Sequence, residues 1–261
     1  MEIPKIGNAK GIFEIFIPGS FLLLNIVGLP ILFFFPEISY AINISTIELN
    51  YLLNPIISLI VLICFGYLTG MILRLLKPGK PDKLSAKKLK DSNKMDDEVI
   101  YTSIFPYIEL LKYQMDNSYY NKSMNDFFEK TWLTRIDKGE YSNHHFFNFY
   151  KYMTCFNDEN AAIEILSAES LTRYLTGIFY ALRFSQILLA IGFIILSIKT
   201  VLQILENIYS VYNITALAIV AFVFILYSYS SKILLENFRF IRIKEVVTVL
   251  IGSYKNRDLF I

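Results

Sequence analysis

Two cysteines, two histidines and one tryptophan are all that these 261 residues hold of those types, and each scarcity excludes something. Cys64 lies in an apolar run and Cys155 in a polar, aromatic segment. Neither their number nor their spacing makes a disulfide framework or a zinc site, so both are expected to pack as small hydrophobes. His144 and His145 are adjacent, and neighbours on a helix point about 100° apart, which keeps them off a shared metal. No phosphate-cradling glycine loop, His-Glu-x-x-His or Cys-x-x-Cys occurs, and no acids cluster in the apolar runs as proton transfer or intramembrane hydrolysis would need. Neither an enzyme nor a cofactor is expected. Charge is scarce as well: 18% charged residues against 54% hydrophobic and 16% aromatic is extreme for a water-soluble fold and points to an integral membrane protein.

Four apolar runs are present. A hydrocarbon core of about 30 Å takes roughly 20 apolar residues as a helix, because backbone amides facing lipid must be bonded internally. Ile15 to Pro36 is uncharged over 22 residues, with Pro18-Gly19 and Pro30 as bend points. It lacks the small-residue cleavage site of a signal peptide. Leu49 to Leu73 follows, and within it Gly66 and Gly70 share one face at a spacing that lets helix backbones approach. The third run is the least clear, since Arg183 and Lys199 bracket only 15 uncharged residues. A full span extends to Leu205, with Lys199 snorkelling. Asn207 to Ser231 is uncharged over 25 residues and carries tyrosines at both ends, as an aromatic belt does.

Orientation follows from the basic residues. The stretch between the first two runs contains Glu37 and Glu48 and no Lys or Arg, whereas Lys5, Lys10, Arg74, Arg173, Arg183, Lys232, Arg239 and Lys244 flank the other side. By the positive-inside rule both termini and the middle region are cytoplasmic. The expected fold is all-α: four transmembrane helices with a helical cytoplasmic domain between the second and third. The boundaries are 1–76 for the first two spans, 77–172 for the cytoplasmic domain, 173–233 for the second hairpin and 234–261 for a C-terminal helix. Within 77–172, Ser118 to Ile136 repeats apolar residues at helical spacing and His144 to Phe156 is densely aromatic. Asp158 is placed to cap a helix that nothing stops before the membrane, so the third span is expected to continue into the cytoplasm as one long helix.

The middle region is polarised. Arg74 to Lys94 carries eight basic and two acidic residues, while Asp96 to Arg173 carries seven basic and thirteen acidic. The lysines have three readings: a topological signal that touches anionic lipid, a partner for the acidic half of the domain, or a polyanion-binding surface. In the third, Lys83, Lys87, Lys88 and Lys90 neutralise phosphates, and Trp132 with Arg135, and Tyr119-Tyr120 with Lys122, supply stacking on bases. Polar residues in the spans are too few for a transport pathway through one subunit, but subunits around a symmetry axis can each contribute one helix. Ser20 and Asn25 are the candidate lining residues, with a single interhelical hydrogen bond as the alternative for Asn25.

Phe13-Glu-Ile-Phe-Ile-Pro-Gly19, Gly66-Tyr-Leu-Thr-Gly70 with Arg74, and Phe105-Pro-Tyr107 are the residues behind a resemblance in general layout. The chain resembles small bacterial membrane effectors of anti-phage defence, most of all the Hailong type. That resemblance implies a homo-oligomeric inner-membrane ion channel, controlled by a nucleotide or oligonucleotide from a partner nucleotidyltransferase; it brings no site residue with it. The alternative is a non-conducting membrane scaffold that recruits a cytoplasmic protein through its aromatic helices.

Overall fold

The computed structural model describes residues 7–33, 55–76, 81, 84, 122–133, 143–205 and 211–256, and no strand occurs among them. Six α-helices are described: α1 (Gly7–Phe33), α2 (Pro55–Leu75), α3 (Lys122–Phe127), α4 (Asn143–Asn157), α5 (Glu159–Leu205) and α6 (Val211–Lys255). A π-helical turn, Phe128–Leu133, continues α3. Among the described residues two helices are long and apolar enough to cross a membrane, α5 with 47 residues and α6 with 45. At a rise of about 1.5 Å per residue each reaches roughly 70 Å, more than twice a hydrocarbon core of about 30 Å. The apolar stretches Glu14–Pro30 in α1 and Leu62–Leu75 in α2 are shorter.

Local chemistry explains the helix ends. Pro55 stands first in α2, where its missing N–H is not needed, and Arg74 sits in the last turn against the carbonyl end of the helix. Asp158 interrupts α4 and α5 and caps the latter: its Oδ1 accepts the Ala161 backbone N–H at 3.1 Å. The cap expected from sequence is therefore formed, and the helix it starts runs unbroken to Leu205.

The chain divides into two compact units. The first comprises Met1–Lys77 and Tyr174–Leu234, hence α1, α2, the later part of α5 and the earlier part of α6. In it Leu29 and Phe33 of α1 pack with Leu189 and Leu196 of α5 and with Ala216 and Val220 of α6. Leu22, Leu73 and Ala181 join α1, α2 and α5 in a second cluster. α1 and α2 meet backbone to backbone at glycines. A Cβ on Gly19 would land on the Gly66 carbonyl oxygen and lie 2.7 Å from Gly70 Cα, and one on Gly70 would land on the Ile15 carbonyl oxygen. The Gly66 and Gly70 spacing thus marks a real helix contact, with Gly19 as its counterpart.

The second unit comprises Pro78–Arg173 and Leu235–Ile261. Its core gathers Trp132 from the π turn, Phe147 and Tyr150 from α4, Ile165 from α5, and Val246, Val249 and Leu250 from α6. The C-terminal part of α6 therefore packs on the middle region.

Candidate functional site

In the first unit, polar side chains inside apolar helices are tied to one another. Asn25 is buried; its Nδ2 donates to the Phe21 carbonyl at 2.7 Å and its Oδ1 accepts the Tyr227 hydroxyl at 2.7 Å. The Phe21 and Tyr227 rings lie 5.5 Å apart, so one aromatic contact and one hydrogen bond join α1 to α6. This is the interhelical bond that stood as the alternative to pore lining for Asn25. Ser20 is also buried, with its Oγ where a side chain on Gly66 would have to go. Both candidate lining residues thus face neighbouring helices of their own protomer.

Two further polar ties bracket the apolar contact of α5 with α6. Near one end Asn213 Nδ2 donates to Gln203 Oε1 at 2.8 Å. Near the other, Arg183 Nη1 donates to Gln186 Oε1 at 3.1 Å, and Gln186 Nε2 donates to Ser228 Oγ at 3.0 Å. The Arg183 guanidinium also lies 5.4 Å from the Phe179 ring centre. Between the ties an apolar groove of about 420 Å³ is lined by Leu189, Phe193, Val220 and Phe224 among others. With no convergent polar group it cannot orient a ligand by hydrogen bonds.

The second unit contains the strongest electrostatic feature. Lys151 of α4 donates from Nζ to Glu169 of α5 and, at 2.6 Å, to Glu245 Oε1 of α6. Arg242 Nη1 donates to the other Glu245 oxygen at 2.8 Å. Two cations and two carboxylates balance, and Lys151, Arg242 and Glu245 are all buried. Burial works against the Glu245 carboxylate, but Arg242 and Lys151 outweigh it through charge and hydrogen bonding and hold its carboxyl below the usual range. Cys155, one turn after Lys151, has its thiol pushed up mainly by burial, with Lys151 opposing and the two glutamates adding. It is accordingly a protonated packing group at neutral pH. This cluster ties α4 to α5 and to α6 through the ion pairs of the buried Lys151, and it has the chemistry of a structural joint.

Of the residues expected to bind a polyanion, Trp132 and Lys122 alone fall among the described residues. Trp132 is wholly buried, its ring 5.4 Å from Tyr150 and 6.3 Å from Phe147, and packs as a core residue with no face open to a base. Lys83, Lys87, Lys88, Lys90, Tyr119, Tyr120 and Arg135 lie outside the described residues. His144 and His145 fall in the first turn of α4, and among the described residues no three His, Cys, Asp or Glu side chains group as metal ligands do.

Sequence reasoning missed the Lys151 cluster. Its one local signal is that Lys151 is the only charged residue in an otherwise aromatic and polar helix, as a buried and paired lysine would be. No family model, curated protein or solved structure matches this chain.

Proposed function

We propose that the chain is a multi-pass bacterial inner-membrane protein with four spans and both termini cytoplasmic, which assembles as a homo-oligomer and conducts ions between subunits. In this reading the second unit is cytoplasmic, binds an anionic ligand of the nucleotide or oligonucleotide class through the lysine-rich arm, and controls the pathway as a defence effector does. The observation that carries it is the continuity of α5 and α6. Each is one unbroken helix whose residues belong to both units, with the divisions falling after Arg173 and Leu234. A helix continuous from a sensing domain into a span passes a displacement on without a hinge to absorb it. The Lys151 cluster supports the same reading, because it ties α4 to both of these helices at once.

Ser20 and Asn25 pack within the protomer, and in this reading the pathway uses other helix faces. Planar-bilayer recording of the purified protein tests the proposal. Discrete conductance steps whose open probability changes when short oligonucleotides are added are expected. Silence with and without them overturns the channel reading and leaves the scaffold.

A further inference from the structure

α4 is amphipathic in an unusual sense, for both of its faces are aromatic. Phe147, Tyr150, Lys151 and Thr154 turn inward and are buried. Opposite them Phe149, Tyr152 and Phe156 stand at i, i+3 and i+7 and are 51%, 72% and 79% exposed. At 100° per residue these three fall within an arc of about 60°, a single stripe along the helix. The Phe149 ring touches Tyr150 at 5.6 Å and is still half exposed. Tyr152 and Phe156 project furthest. A helix facing water ordinarily carries charge there, yet α4 has one charged residue, Lys151, which is buried in its ion pairs.

Two surfaces accept such a stripe, a bilayer interface and a protein. Helices that lie in the interface flank their apolar face with lysine and arginine that reach phospholipid headgroups. α4 has none to offer, and Asn148 on one side and Met153 on the other border its stripe instead. Exposed aromatics flanked by uncharged residues are what the centre of a protein interface contains. The area also fits. At about 200 Å² per aromatic side chain, the three exposed portions offer roughly 400 Å². That is about half of the ~800 Å² per partner of a standard interface, with the bordering residues as its rim.

We propose that the stripe is a contact between two copies of the chain, α4 of one protomer crossing α4 of its partner about a two-fold axis, with Tyr152 near the crossing. A two-fold contact is self-complementary, so one uncharged stripe serves both sides without like-charge repulsion. The proposal rests on the homo-oligomeric reading above and names the surface it uses. It also gives the Lys151 cluster a second consequence, since the helix clamped to α5 and α6 on its inner face becomes the helix shared between protomers on its outer one.

The test uses the full-length protein in detergent and in proteoliposomes, with Cys64→Ser and Cys155→Ala removing the native thiols. In that background Tyr152→Cys is expected to form a disulfide-linked dimer in most of the chain under copper-phenanthroline and air. Lys244→Cys, at an exposed position of α6, is expected to remain monomeric. Separately, Tyr152→Glu with Phe156→Glu should at least halve the particle mass by light scattering while the helical circular dichroism is kept. A wild-type oligomer whose mass is unchanged by the two glutamates, together with no cross-link in the Tyr152→Cys variant, overturns this surface and leaves oligomerisation standing. A monomeric wild type overturns both. Quenching of a bimane label at position 152 by brominated lipid overturns the contact in favour of the membrane surface.

Discussion

Lys151 concentrates most of what single residues decide here. Lys151→Met leaves the buried Glu245 with Arg242 alone, while Glu169, whose side chain is a third exposed, can rehydrate. The expected loss is about 3 kcal/mol, the low end for a broken buried pair, read as a lowered unfolding temperature and faster amide exchange in α4. Replacing Lys151, Arg242 and Glu245 together by apolar residues of similar size should recover most of it, because no buried charge is then stranded. The sign of the pH dependence follows from the depressed Glu245 carboxyl. Its contribution is complete above the unfolded value of about 4.3 and is lost as pH falls through the lower folded one. Thermal stability should therefore stay level from neutral pH to about pH 5 and fall below that, with Glu245→Gln removing this group's share of the acid limb. Cys155, with its raised thiol, should react slowly with iodoacetamide at neutral pH and faster only under alkaline conditions. Arg242 and Glu245 are three positions apart, but the pairs that join different helices are remote: Lys151 and Glu245 are 94 positions apart, and Asn25 and Tyr227 are 202 apart. One-dimensional spacing carries no signal for such pairs, which is why the polar chemistry was hidden while the helices that hold it were not.

At the scale of elements the sequence was more informative, because helix signals are local. The Asp158 cap, the absence of a stop between it and Leu205, and the extension of the last apolar run to Lys255 all have their causes within a few residues of where they act. The glycine pair in α2 was legible as a spacing, but its counterpart Gly19 was not, since close approach is decided by the partner helix. The π turn holding Trp132 was equally invisible, and with it the difference between a stacking platform and a core residue. The glycines allow a controlled comparison. Gly70→Ala should force α1 and α2 apart, because the new methyl group meets the Ile15 carbonyl, whereas a Cβ on Gly28 meets nothing within 4 Å. Gly28→Ala should be neutral or stabilising by up to about 1 kcal/mol, as for an exposed helix glycine. Thermal aggregation of the two variants in the same detergent separates a packing role from a propensity effect.

For the whole molecule the decisive property is helical continuity between the part that would sense and the part that would conduct. The sequence already showed it in outline, as apolar runs passing into charged amphipathic stretches with no Gly or Pro between Asp158 and Gly177 or from Lys232 to Val249. It could not show which residues lock α4 to those helices or which face α4 leaves open. If coupling runs through α5, then interrupting that helix where it passes from one unit to the other should separate sensing from conduction without unfolding either part. The most direct measurement is potassium flux from proteoliposomes, comparing wild type with a variant carrying two glycines inserted between Arg173 and Tyr174. The prediction is flux that responds to short oligonucleotides in wild type and flux that no longer responds in the variant, with the same oligomeric mass. An unchanged response in the variant, or no flux from either protein, would contradict it.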